Sequence, residues 1–266
     1  MSAGAGGWTR DEMMTVAAAR QLGNGCVCFV GIGLPSAACN LARLTHAPDI
    51  VLIYESGTLG TRPDVLPLSI GDGELAATAS CVIPLPDVFS DYLQAGRVDV
   101  GFLGAAQIDR YGNLNSTVIG PYDRPTTRLP GAGGAPEIAT HAKRTFAMLK
   151  ASRRSFVERL DFRTSAGYLE GGDARERSGA RGGGPVSVIT DFGLLAPAAG
   201  SRELELVALY EGASVDEARA AVGWPLVSAA TIATVEPPTP IELETLRALN
   251  ARTRAAHSRP VRPPTH

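Results

Sequence analysis

The sequence predicts an α/β fold with an open, mainly parallel sheet and helices on both faces, and two observations carry this prediction. First, an apolar run at 26–30 precedes a glycine turn at 31–35, a helical segment at 36–43 and a second apolar run at 51–54. Second, strand-like and helical segments continue to alternate with short connections, as crossovers between parallel strands require. A length of 266 residues fits one large α/β domain.

Local signals predict the individual elements. The first helix should begin at Thr9, which can form a capping box with Glu12, and should end near 23–25. Further strands are expected at 77–82, 98–103, 144–148, 186–190 and 204–209, and further helices at 88–95, 137–142, 214–221 and 239–250. We expect one domain over 8–250 and flexible tails at 1–7 and 251–266, the latter being rich in arginine and proline.

Composition argues against several classes of protein. The formal net charge of −2 gives no long-range attraction to nucleic acid or to an anionic membrane. No stretch approaches the ~20 apolar residues of a membrane span, and the N-terminus lacks a signal-peptide pattern. The spacing of Cys26, Cys28, Cys39 and Cys81 fits neither a zinc site nor a disulfide framework, so we expect reduced thiols and a cytoplasmic location. We expect no metal site, because no His, Asp and Glu cluster has ligand spacing.

Glu55 is the first candidate for chemistry. It follows the apolar run at 51–54, and glycines follow it at 57 and 60. Ligands of open α/β sheets bind at the carboxyl ends of strands, and glycines let backbone approach a bound group closely. A carboxylate there can act as a general base, a metal ligand or a nucleophile. The alternative is a structural glutamate that caps a helix or forms an ion pair.

Two glycine-rich turns could bind negative charge. The turn at 31–35 leads into a helix, where free backbone N–H groups stabilise anions. It lacks the third glycine of a dinucleotide-binding fingerprint. The turn at 131–135 also precedes a predicted helix and could form an anion-binding nest, or could be only a flexible loop.

Taken together and in this order, these segments resemble the B subunits of class I coenzyme A transferases. The resemblance rests on the turn at 31–35, the triplet Glu55-Ser56-Gly57, the segment 104–117 and the turn at 131–135. The Glu-Ser-Gly form of the triplet is similar to the glutaconate CoA-transferase branch, as are the segments 164–168, 175–177 and 188–193. The resemblance runs from about residue 9 to about residue 250, nearly the whole chain.

The resemblance implies a fold, a mechanism and site residues. Glu55 would be the nucleophile of a ping-pong reaction that passes through a mixed anhydride and a glutamyl-CoA thioester. Gly133 and Gly134 would line one oxyanion site, and Ile32 and Gly33 would belong to the other. Coenzyme A and acyl-CoA would be substrates, with no permanently bound cofactor.

The resemblance also implies a partner, while the acid substrate stays open. A chain of this type would need an A-type (alpha) partner subunit to be active. Gln107 could face the site or pin its turn, and Arg62, Arg124 and Arg128 could pair with a distal carboxylate or be ordinary surface arginines. The alternatives to a transferase are an acyl-CoA thioester or ring-opening hydrolase on the same scaffold, and a non-catalytic subunit of such a complex.

Overall fold

The computed structural model describes residues 7–258, and its core is a ten-stranded sheet with two small two-stranded ribbons. The strands are β1 (Val27–Phe29), β2 (Val51–Ile53), β3 (Thr58–Leu59), β4 (Cys81–Val82), β5 (Val100–Leu103), β6 (Gln107–Ile108), β7 (Leu114–Asn115), β8 (Val118–Ile119), β9 (Thr127–Arg128), β10 (Arg144–Met148), β11 (Pro185–Ile189), β12 (Gly193–Pro197), β13 (Leu204–Tyr210) and β14 (Ser228–Val235).

The described part of the chain also contains eight α-helices and one π-helix. They are α1 (Arg10–Ala19), α2 (Leu34–Leu44), α3 (Gly73–Ala77), α4 (Leu85–Asp87), the π-helix Val88–Gln94, α5 (Ala135–His141), α6 (Ala174–Arg177), α7 (Val215–Ala221) and α8 (Pro240–His257). Over residues 7–258, none of these helices has the length and apolar character needed to cross a membrane.

The main sheet is open, and its strand order is β14-β13-β12-β11-β10-β5-β1-β2-β3-β4. Five neighbouring pairs are parallel, including the continuous central run from β11 to β2. Four pairs towards the margins are antiparallel. The prediction of an open, mainly parallel sheet is therefore confirmed, and the carboxyl ends of the central strands share one edge, where such sheets bind ligands.

Helices cover both faces of the sheet, as predicted. On one face, Met13 of α1, Leu41 of α2 and Leu246 of α8 pack into a cluster that includes Leu52 of β2. On the other face, α5, α7 and the π-helix pack into a second cluster that includes Ile53 of the same strand. Successive strand residues thus point to opposite faces and both faces are buried, which explains the continuous apolar runs.

The two terminal helices of the described chain are tied to each other. The predicted capping box of Thr9 and Glu12 is present at the start of α1. Glu12 also accepts a hydrogen bond from Arg247 of α8, at 2.7 Å. Arg20 donates to both carboxylate oxygens of Glu242, at 2.8 and 2.7 Å. These bonds hold α8 across α1.

Helix α8 extends beyond the boundary expected from the sequence. It runs to His257, so residues 251–257, expected to be a flexible tail, are helical. Thr253 explains the difference, since its hydroxyl accepts a hydrogen bond from the backbone N–H of Leu66 at 2.9 Å. Arg252 also donates to the carbonyl of Asp64. Residues 1–6 and 259–266, where the rest of the expected tails falls, lie outside the described residues.

Other predicted elements differ in extent or type. The strand expected at 77–82 is reduced to β4, because Asp72 caps α3 and makes residues 73–77 helical. The helix expected at 88–95 has π-helical geometry over most of its length. Strands β12 and β14 were not predicted. Both pair with β13 towards the margin of the sheet, where long-range partners outweigh local signals.

Candidate active site

Glu55 lies in a tight turn between β2 and β3, at the carboxyl edge of the sheet. The backbone N–H of Gly57 donates to the carbonyl of Tyr54 at 3.0 Å, which closes the turn. Gly57 has φ +99°, and a Cβ on it would lie 2.0 Å from the carbonyl oxygen of Ile83. No other residue fits there, so the glycine of the triplet lets the chain next to β4 pack against the turn. The Glu55 side chain is half-buried.

The second glycine-rich turn lies against the carboxylate of Glu55. A Cβ on Gly133 would be 3.8 and 3.9 Å from the two carboxylate oxygens, and a Cβ on Gly134 would be 3.3 Å from the carboxyl carbon. About 80 residues separate these groups in the chain, and the fold brings them into contact. The carboxylate of Glu55 and the backbone of this turn therefore lie side by side.

The segment that precedes this turn holds it in place. The hydroxyl of Ser116 donates to the carbonyl of Gly131 at 2.8 Å, and the backbone N–H of Gly131 donates to the carbonyl of Ser116 at 2.9 Å. Strands β8 and β9 form a hairpin between these two residues. Gly134 then serves as the N-cap of α5. Ser116, the central residue of the Asn-Ser-Thr motif at 115–117, thus supports the turn.

Phe89 is a third component of the site, and sequence reasoning missed it. Its ring atoms Cζ and Cε1 lie 2.7 and 2.8 Å from the position of a Cβ on Gly134, beside the carboxyl carbon of Glu55. The ring also packs on Phe29 at the end of β1, with centroids 6.1 Å apart. No local pattern could have singled it out, because it precedes Gly134 by 45 positions.

The first glycine turn lies at the same edge of the sheet. The register of β1 and β2 pairs Phe29 with Ile53, and the backbone N–H of Val30 donates to the carbonyl of Ile53 at 2.9 Å. One residue further on, the chain enters the turn that contains Ile32 and Gly33. Gly33 has φ +82°, and a Cβ on it would meet no atom within 4 Å, so the turn borders open space.

A buried hydrogen bond joins this turn to the strand that carries Glu55. The hydroxyls of Ser36, in the first turn of α2, and Tyr54 lie 2.9 Å apart, and both residues are fully buried. Burial raises the pKa of the Tyr54 phenol, so it stays protonated. The bond joins the start of α2 to the end of β2, and so links the turn that contains Ile32 and Gly33 to the turn that contains Glu55.

The predicted substrate-binding role of Gln107 has little support in its contacts. Its side-chain oxygen accepts from Asn115 at 2.7 Å and from the backbone N–H of Asp161 at 3.1 Å. Its side-chain nitrogen donates to the carboxylate of Asp161 at 2.8 Å. The residue is 5% exposed. Its amide is engaged with protein groups on both sides, which favours the alternative that it pins its turn.

The three candidate arginines lie in different places. Arg62 donates to the carbonyl of Pro48, which precedes β2, so it points to the end of the strand opposite Glu55. Arg124 and Arg128 are exposed on the β8–β9 hairpin that ends at the glycine-rich turn. The guanidinium of Arg128 lies over the ring of Tyr122, 5.0 Å from its centroid. Only the hairpin arginines belong to a segment that adjoins the site.

Arg175 is bonded to helix α5, which follows the glycine-rich turn, and the sequence did not reveal this role. It is 2% exposed and donates to the carbonyl of Ala139 in α5 at 2.6 Å. It also donates to the carbonyls of Gly167 and Gly182, at 2.8 and 2.9 Å. Burial lowers its pKa, and in residues 7–258 the hydrogen-bond acceptors of its guanidinium are all backbone carbonyls. Arg175 therefore anchors α5, which begins beside Glu55.

The family of this protein is established by comparison with known proteins. The model of the family described as "Coenzyme A transferase" matches residues 11–221. The chain belongs to the coenzyme A transferase family.

Within that family the chain corresponds to B-type subunits. It is 58% identical over 250 residues to the B subunit of 3-oxoadipate CoA-transferase from Pseudomonas knackmussii, covering 94% of this chain and 96% of that relative. It is 36% identical over 245 residues to the B subunit of glutaconate CoA-transferase from Acidaminococcus fermentans, covering 90% and 91%.

A solved structure and a more distant relative complete the comparison. The crystal structure of the Acidaminococcus fermentans enzyme superposes with a TM-score of 0.85, covering 90% of this chain and 94% of that one. A ring-cleaving hydrolase subunit, IpdB of Mycobacterium tuberculosis, is 32% identical over 163 residues, or 60% of this chain and 62% of that relative. The match to transferase subunits is closer and longer, so the chain is a coenzyme A transferase subunit.

Proposed function

We propose that this chain, together with an A-type partner subunit, moves coenzyme A from an acyl-CoA to 3-oxoadipate or a closely related dicarboxylic acid. The 58% identity to a relative named for 3-oxoadipate supports the choice of acid. One structural observation supports the chemistry above all others. The carboxylate of Glu55 lies against the backbone of Gly133 and Gly134 at the carboxyl edge of a parallel sheet.

The proposed reaction uses Glu55 as a covalent carrier. Its carboxylate attacks the carbonyl carbon of the acyl-CoA, which forms a mixed anhydride and releases CoA thiolate. The thiolate then attacks the Glu55 carbonyl, which forms a glutamyl-CoA thioester and releases the first acid. The acceptor acid reverses these two steps. A carboxylate nucleophile needs no proton removed, so no histidine is required.

The two glycine turns supply donors for the oxyanions of this reaction. Each attack produces a tetrahedral carbon with a negative oxygen, either on the substrate or on Glu55. Within residues 7–258, no group accepts a hydrogen bond from the backbone N–H of Ile32, Gly33, Gly133 or Gly134. Unused donors at the starts of α2 and α5 are suited to bind such oxygens, and losing one typically costs ~10²–10³ in rate.

The arginines of the β8–β9 hairpin are candidates for recognising the far end of a dicarboxylate. Arg124 is exposed there, and within the described residues its guanidinium forms no ion pair. Arginine binds carboxylates in a bidentate manner. Arg62 is a weaker candidate because it points to the opposite end of β2.

An A-type partner is proposed because the 3-oxoadipate and glutaconate relatives are themselves B-type subunits. The main sheet has an exposed edge beside the Glu55 turn, at β4, where a partner could dock. We expect the chain to lack transferase activity when purified alone. A reducing, cytoplasmic setting is supported by the free thiols of Cys26, Cys28, Cys39 and Cys81.

Trapping the covalent intermediate tests the proposal. The reconstituted complex should retain CoA as a thioester on Glu55 when it is given acyl-CoA without an acceptor acid. Borohydride or hydroxylamine should remove the adduct, and peptide mapping by mass spectrometry should locate it. Glu55→Ala should abolish both adduct and transfer, and Glu55→Asp should cut transfer about 10²-fold because it retracts the carboxylate by roughly 1.5 Å.

Glu137→Gln is a matched control for this experiment. Glu137 is a carboxylate in the first turn of α5, bonded to His141 rather than placed against Gly133 and Gly134. This variant should keep both the adduct and the activity. An adduct on any residue other than Glu55, or transfer at the wild-type rate by Glu55→Ala, would contradict the proposed mechanism.

A further inference from the structure

We propose that Phe89 determines whether the CoA thioester on Glu55 passes its CoA to an acid or is hydrolysed, because its ring covers the reactive carbonyl carbon against water. This inference rests on the proposed function and adds a specificity-determining residue to it. Neither the glycine turns nor the carboxylate itself can distinguish water from an acid, so another group must exclude water.

The position of the ring is the first argument. The position of a Cβ on Gly134 would be 2.7 Å from Cζ of Phe89 and 3.3 Å from the carboxyl carbon of Glu55. The ring edge and the reactive carbon are therefore no farther apart than the sum of these distances. Gly134 itself has φ −82°, a conformation open to any residue. A glycine is needed there because the phenyl ring and the carboxylate leave no space for a side chain.

The ring packs against the core, although it is only half-buried. Phe29, at the end of β1, packs on it with an angle of 46° between the ring planes. Phe89 belongs to the π-helix, which the buried residues Val88 and Leu93 fix to the core. Single π-helical turns are frequent at functional sites. Ser90 and Asp91 of the same helix are exposed, so Phe89 marks its inward side.

The chemistry explains why shielding the Glu55 carbonyl carbon from water favours transfer over hydrolysis. In transfer, the acceptor carboxylate attacks the Glu55 carbonyl carbon of the thioester, the C–S bond breaks and CoA thiolate leaves. The thiolate then attacks the acceptor's own carbonyl carbon in the anhydride, which yields the new acyl-CoA and frees Glu55. In hydrolysis, water attacks the same Glu55 carbon, CoA leaves and a proton is released. Both nucleophiles compete for one carbon, and an apolar ring offers water no hydrogen bond.

A size series at position 89 tests the proposal in the reconstituted complex. The measured quantity is the ratio of CoA released without acceptor acid to acyl-CoA formed with it. Phe89→Leu should have a ratio close to that of wild type, and Phe89→Val should raise it. Phe89→Ala should raise it at least about tenfold, because water then reaches the Glu55 carbonyl carbon. Tyr92→Ala, a half-buried aromatic on the same π-helix, should leave the ratio unchanged.

The possible outcomes distinguish a failure of this inference from a failure of the proposed function. If wild type forms the Glu55 adduct but the ratio stays flat from Leu to Ala, Phe89 is only structural and the inference is wrong. If circular dichroism shows that Phe89→Ala does not fold, Phe89→Val decides instead. The inference is then wrong if Phe89→Val has the same ratio as wild type. If wild type forms no adduct on Glu55, the proposed function itself fails, and the role of Phe89 fails with it.

Discussion

At the scale of single residues, the two glycines beside Glu55 are required for different reasons. Gly133 has φ +49°, which costs other residues roughly 1–2 kcal/mol, whereas a Cβ on it would meet the carboxylate oxygens only at ordinary contact distance, 3.8 and 3.9 Å. Gly134 has an ordinary backbone conformation but no space around it. The first glycine is thus explained mainly by conformation and the second by packing.

We expect Gly134→Ala to damage catalysis much more than folding. Its Cβ would have to displace Phe89 or Glu55, and a misplacement near 1 Å can cost about 10²-fold in rate. Steady-state assays of the complex and thermal unfolding of the chain measure the two effects. Gly23→Ala is the control, since a Cβ there meets nothing within 4 Å and φ is not positive. Wild-type kinetics for Gly134→Ala would contradict the crowded site described above.

At the scale of elements, the bond between Ser36 and Tyr54 couples helix α2 to strand β2. Both hydroxyls are fully buried, and they are hydrogen-bonded to each other. Removing one member leaves the other without its partner. Removing both replaces a polar pair by an apolar contact.

A double-mutant cycle should reveal this coupling. Tyr54→Phe alone should lower the free energy of unfolding by about 1–3 kcal/mol, because the Ser36 hydroxyl is left buried without this bond. Tyr54→Phe combined with Ser36→Ala should cost less than the sum of the two single changes, as measured by urea unfolding. Strictly additive losses would mean that the hydrogen bond does not connect the two elements energetically.

At the scale of the whole molecule, one edge of the main sheet is exposed and apolar. Strand β4 ends the sheet on the side of the Glu55 turn, and the backbone N–H of Ile83, just beyond it, donates to the carbonyl of Gly57. Val82 and Leu85 are 58% and 48% exposed there. Exposed apolar edge strands pair readily with other chains. We infer that the A-type partner covers this edge, which would place it beside Glu55.

Val82→Arg should therefore block assembly without unfolding the chain. The residue is exposed, so a charged side chain is tolerated in the isolated chain, whereas it opposes burial in an interface. Size-exclusion chromatography of the mixed subunits measures complex formation. Val227→Arg is the matched control, because Val227 is 53% exposed next to β14 at the opposite edge. If Val82→Arg forms the complex as well as Val227→Arg does, the β4 edge is not the docking surface.

Local signals in the sequence determined much of the fold and the position of the candidate nucleophile. The capping box at Thr9, the glycine turn before α2 and the apolar run before Glu55 each depend on residues close together in the chain. Helix starts, turns and buried parallel strands are governed by such short-range patterns. They were therefore predictable, together with the parallel centre of the sheet.

Only the tertiary structure decided which side chains surround Glu55. Phe89 lies against Gly134, although no sequence pattern marks it as a site residue. Gln107 bonds to Asp161 and Arg62 points away from the site, although the sequence made both candidates for binding substrate. These contacts join residues many positions apart, and they depend on strand order and on the paths of loops. Periodicity carries no information about such paths, since the same local pattern is compatible with several long-range arrangements.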